Sequence, residues 1–118
     1  MKILVTNKDV DLTFDTIVVA PSDLNLPQFH LYAMSNNIDC VVVDMEEDVP
    51  TGKLRHLMTR VRVTPRLPET ITPHTITLLS EVYPDKAAEF RYAFMRDRNN
   101  IRNVLVDFGT KMNWSYDY

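Results

Sequence analysis

Apolar residues along this chain switch repeatedly between runs of period two and stripes of period near 3.6, the spacings of strands and helices. Residues 2–6, Lys-Ile-Leu-Val-Thr, read as a short buried strand, and Asn7-Lys8-Asp9 reads as a turn. Val10, Leu12 and Phe14 alternate with Asp11, Thr13 and Asp15, the pattern of a half-buried strand. The alternation breaks at Thr16, where the apolar run Ile17-Val18-Val19-Ala20 begins, so a bulge or a second strand is expected there. Pro21-Ser22-Asp23 ends it.

Helical signals follow. Asn25 is a candidate cap for a helix with Pro27 in its first turn and an apolar side of Leu26, Phe29, Tyr32 and Ala33. Asn36-Asn37 ends that helix, and Cys40-Val41-Val42-Val43 forms the next buried strand. Strand, helix and strand together have nearly the size of a βαβ unit, whose strands are parallel. After an acidic loop, Leu54, Leu57, Met58 and Val61 fall on one helical face, while Val61 and Val63 also suit a short strand. Thr72-Pro73 starts a helix with Ile76, Leu79, Val82 and Tyr83 on its apolar side, and Pro84 stops it. Asp85 opens another, lined by Ala87, Phe90, Arg91 and Phe94, which ends at Asn99-Asn100. Ile101 to Phe108 reads as a last strand with Val104, Val106 and Phe108 on one face, closed by Gly109. The expectation is a single small α/β domain over residues 1–118. It has a mixed sheet of about four strands, because the stretch after the first strand looks like a hairpin. It also has three to four helices and one βαβ unit.

Composition narrows the function more than it identifies it. With 118 residues, 45% of them apolar and 25% charged, the chain can bury a core without staples. Cys40 is the only cysteine, so no internal disulfide forms, and the N-terminal apolar run is too short for an export signal. A soluble, cytoplasmic protein is expected. Two glycines, Gly52 and Gly109, supply neither a dinucleotide fingerprint nor a P-loop, both of which need glycines for close backbone approach to phosphate. One cysteine and three scattered histidines make no zinc motif, and no glycine-flanked serine marks a nucleophile elbow. No cofactor is implied.

Three constellations remain. Asp44 and Glu46 follow the Cys40–Val43 strand, and Asp23 follows the preceding one. Carboxylates gathered at strand ends would suit Mg²⁺ and phosphoryl or phosphodiester chemistry. Lys53, Arg55, His56, Arg60, Arg62 and Arg66 lie in a stretch with no acidic residue, suited to a phosphate backbone or to an acidic protein. Trp114, Tyr116 and Tyr118 alternate with polar residues in a possible tail over residues 110–118, and aromatics with arginines are the usual anchors of protein interfaces. Residues 1–50 carry two lysines against nine carboxylates, and the remainder carries the basic excess. The plain expectation is that these halves pair within one fold. The leading functional expectation is a binding protein (regulator, inhibitor or assembly factor) contacting another protein through Arg60, Arg62, Arg66, Trp114, Tyr116 and Tyr118. Nucleic-acid binding through residues 53–66 and the Mg²⁺ enzyme are its alternatives.

Overall fold

The computed structural model describes residues 1–11 and 15–112. Four strands, β1 (Lys2–Val5), β2 (Thr16–Val19), β3 (Cys40–Asp44) and β4 (Val63–Arg66), form one sheet in the order β2-β1-β3-β4. Five helices accompany it: α1 (Pro27–Ser35), α2 (Thr51–Met58), α3 (Pro73–Val82), α4 (Ala87–Arg96) and α5 (Ile101–Lys111). The α/β class, the number of strands and the parallel strands on either side of α1 are as the sequence predicts.

Two expectations are corrected. The sheet is parallel throughout, not mixed: β2 runs with β1 in the register Lys2↔Thr16 to Val5↔Val19. Parallel neighbours need a crossover, and the connection 6–15 supplies one. Its Val10, like Val18 of β2, packs against the cluster of Leu4, Cys40 and Val42. Val10 therefore covers one face of the sheet, and β2 and β3 flank β1 instead of touching. Leu12 and Phe14 of the expected alternating strand lie outside the described residues.

The second correction is α5, which replaces the expected last strand. Ile101, Leu105 and Gly109 recur every four residues and are buried, whereas Val104 and Val106 stay more than a third exposed. The helical stripe meets the core, and of the alternating subset only Phe108 packs against it. This also makes five α-helices among the described residues where three to four were expected, and Gly109 lies inside α5 instead of closing a strand.

The two sheet faces are unequal. Ile3, Val5, Val41 and Val43 point into the main core, to which all five helices contribute. Phe29 and Ala33 come from α1, Leu54 and Leu57 from α2, and Ile76 and Leu79 from α3. Tyr83, Phe90 and Phe108 close the far end edge to face, with Phe90 and Phe108 centroids 4.8 Å apart. Local signals fix the helix starts. The Thr72 hydroxyl accepts from the Thr75 amide at 3.4 Å, and Pro73 occupies the first turn of α3. Pro27 does the same for α1, but Leu26 stands at its cap because a 3-10 turn over Pro21–Asn25 comes first. Among the described residues no helix is long and apolar enough to cross a membrane.

Candidate functional site

Strand order divides the predicted acidic residues. The carboxyl ends of β1 and β3 adjoin where the chain reverses its direction of travel across the sheet, the place where open α/β sheets bind ligands. Asp44 stands there, 2% exposed, with both carboxylate oxygens engaged. Oδ2 accepts from the Thr6 hydroxyl at 3.0 Å, and Oδ1 accepts from the Glu46 amide at 3.1 Å. Lys8 contacts Glu46 directly and holds its Nζ 3.9 Å from Asp44. The hydrogen bond to Glu46 raises the Lys8 ammonium above its ordinary pKa. Asn7 donates to Glu47 at 3.1 Å, so the turn after β1 is strapped to the loop after β3.

Asp23 is not part of this group. It follows β2, with β1 lying between, and its Oδ2 accepts from the Ala20 amide at 3.1 Å. The structure thus brings Asp44 and Glu46 together, sets Lys8 between them and leaves Asp23 elsewhere. Among the described residues no group of three His, Cys, Asp or Glu side chains could hold a metal ion. Beside the Lys8 cluster lies a cavity of about 390 Å³, completed by Arg66 and the loop after β4 with Glu69, Thr70 and Thr72.

The predicted arginines also separate. Arg62 precedes β4 and Arg66 ends it, so at ~3.3 Å per residue their backbones stand about 13 Å apart, at opposite edges of the sheet. Arg66 belongs to the carboxyl-edge cavity. Arg60 lies beside α1, its Nη1 donating to the Met34 sulfur at 3.0 Å. Lys53, Arg55 and Arg60 are exposed and form no ion pair among the described residues. The acidic half instead draws on Lys8 and the Met1 amino group, which reaches Asp39 at 2.8 Å and Asp15 at 3.2 Å. Trp114, Tyr116 and Tyr118 lie outside the described residues.

A surface absent from the sequence prediction adjoins the basic one. α1 buries only Phe29 and Ala33 and leaves Leu31 62%, Met34 48% and Tyr32 39% exposed. Tyr32 borders an apolar groove of about 460 Å³, walled by Ile17 and Val19 of the edge strand and by Leu26 and Phe29. His30 is held by the Leu24 carbonyl, 2.8 Å from Nε2, and its ring lies 5.8 Å from that of His56 on α2. Contact between α1 and α2 is slight, carried by this ring pair and, just past α2, by the Arg60–Met34 bond. The signal for the exposed apolar surface was present in residues 26–34, where apolar side chains occur in every direction around the helix, too many for one buried stripe. Comparison with known proteins finds no matching family model, no similar curated protein and no similar solved structure.

Proposed function

We propose that this chain is a binding protein that acts through contact with another protein, and that the outer face of α1 and α2 is where contact is made. One observation carries the reading. Leu31, Met34 and Tyr32 of α1 are exposed, and Met34 meets the exposed Arg60, which has no ion-pair partner among the described residues. Exposed methionine, tyrosine and arginine side by side is the composition of interface cores. The matching partner is an amphipathic acidic surface. Its apolar residues cover Leu31 and Met34, and its carboxylates meet Arg60 and its neighbours. The mechanism is docking or occlusion, with no covalent step.

The same cations favour nucleic acid as the second reading, but a phosphate backbone gives Leu31 and Met34 nothing to bury against. The two readings part in one experiment. The chain and a Leu31→Ser/Met34→Ser variant are each used to capture partners from lysate with and without nuclease. A protein retained after nuclease by the wild type and lost by the variant, with unchanged melting temperature, supports the proposal. Partners that vanish with nuclease favour the nucleic-acid reading. Partners captured equally by the variant remove α1 from the interface.

A further inference from the structure

The two larger hollows of the molecule differ in which of their charges are already engaged. At the carboxyl edge Asp44, Glu46 and Lys8 satisfy one another. The groove between α1 and the edge strand, about 460 Å³, is walled by Ile3, Ile17, Val19, Leu26, Phe29 and Tyr32. Asp23 is the one ionised group in its lining, and Gln28 adds a neutral amide. Apolar walls with a few placed polar groups are the make-up of a small-molecule pocket, and the volume lies in that range. Asp23 is half-buried. Its Oδ2 accepts from the Ala20 amide, which holds the carboxylate in place, and Oδ1 has no hydrogen bond among the described residues. Asp23 forms no ion pair among them either. The groove therefore presents a fixed, uncompensated negative charge at one point of an apolar surface.

That charge selects the ligand. An anion is repelled, with no cation in the lining to offset Asp23. A metal ion finds one carboxylate, too few ligands to replace its water. A neutral apolar molecule covers Asp23 and leaves it unpaired, at a desolvation cost. An ammonium on an apolar body meets both parts of the lining, and reduced screening among apolar walls strengthens the ion pair. We propose that this groove binds a small free amphiphilic amine, an apolar body bearing one ammonium. The ends of the groove set its direction. Asp23 follows the carboxyl end of β2 and receives the ammonium. The Tyr32 hydroxyl stands 4.0 Å from the Met1 sulfur, toward the amino edge, where the Met1 amino group already serves Asp15 and Asp39. The apolar body lies along Ile17 and Val19 toward the Tyr32 ring. Leu31 and Met34 do not line the groove, so this site goes beyond the docking reading.

The test is calorimetric titration and thermal melting of the full chain with phenethylamine, its neutral counterpart 2-phenylethanol and its anionic counterpart 3-phenylpropionate. The expected result is saturable binding of phenethylamine with a rise in melting temperature. The alcohol binds about tenfold more weakly, the scale of one charge-assisted hydrogen bond, and the carboxylate does not bind. Asp23→Asn keeps an acceptor for the Ala20 amide, removes the charge and abolishes the preference for amine over alcohol. Leu26→Ser, on the exposed wall, weakens both probes alike and leaves the preference intact. These readouts are ratios of two probes, which a general loss of stability does not imitate, and the wild-type ratio stands alone if Asp23→Asn fails to fold. Absent binding of phenethylamine, equal binding of amine and alcohol, or a preference that survives Asp23→Asn overturns the proposal. Tighter binding of the blocked tripeptide acetyl-Leu-Lys-Leu-amide overturns it in favour of a peptide chain. A dimer that Leu26→Ser dissociates overturns it in favour of a second copy.

Discussion

Helices α1 and α3 are both rich in apolar residues, and the fold treats them in opposite ways. α3 buries Thr75, Ile76, Leu78, Leu79, Ser80 and Val82, leaving a narrow polar stripe with Thr77 and Glu81 in water. It packs against α2 and α4, so it has neighbours on both flanks. α1 buries two residues and exposes three large apolar ones. It lies beside β1 and β2, with the 3-10 turn over Pro21–Asn25 as its main neighbour and a single ring contact to α2. An apolar residue is buried only if an element faces it, and α1 has too few facing elements. Its remaining apolar surface is what a partner would cover.

The largest expected effect tests the buried member of this pair. Leu79 is fully buried, and Leu79→Ala should cost about 3 kcal/mol in denaturant unfolding, combining lost transfer energy with a cavity. A cost below 1 kcal/mol would mean that α3 is no better packed than α1, and the comparison would fail. Next comes Ser80, 3% exposed, whose hydroxyl finds no hydrogen-bond partner among the described residues. Ser80→Ala should be neutral or stabilising by up to about 1 kcal/mol, because it removes a buried unsatisfied group. The Leu31→Ser/Met34→Ser variant sharpens the contrast from the other side. Each change on exposed α1 should move stability by no more than about 0.5 kcal/mol while abolishing partner capture.

The smallest effect lies at the opposite, amino edge of the sheet. Hydrogen bonding to Asp39 raises the Met1 amino group above its ordinary 8.0, and the same bond lowers Asp39 below 3.8. The amino group's contribution is complete below pH 8.0 and is lost as pH rises through its raised value. The Asp39 contribution is present above pH 3.8 and is lost as pH falls through its lowered value. The melting difference between the wild type and Asp39→Asn should therefore be flat and small between these limits and shrink outside them. Both groups are exposed, so added salt should reduce it further.

Much of the fold was written locally. β1 and β3 announce themselves as short unbroken apolar runs, and Thr72-Pro73 starts α3 because proline's fixed torsion and the threonine hydroxyl act within one turn. The Cys40–Val43 run also located Asp44 and Glu46 at a strand end, and the basic stretch over residues 53–66 located Arg60. These are properties of neighbours along the chain, which any sequence states directly. What the sequence left ambiguous were patterns with two periods at once. Residues 101–109 satisfy both a strand and a helix, and only the core under Ile101 and Leu105 selects the helix. The direction of β2 depended on pairing across a connection, so local alternation suggested a hairpin where a parallel crossover exists.

Site assembly was decided at the same level. Strand order inserted β1 between Asp23 and Asp44, and the length of β4 put Arg62 and Arg66 at opposite edges. Lys8, unremarkable in a turn, became the cation at the carboxyl edge because parallel pairing brings the ends of β1 and β3 together. Periodicity fixes which residues share a face of their own element, since that follows from backbone geometry. Which faces meet, and which are left over as on α1, depends on neighbours distant in sequence, and only the tertiary structure supplies them.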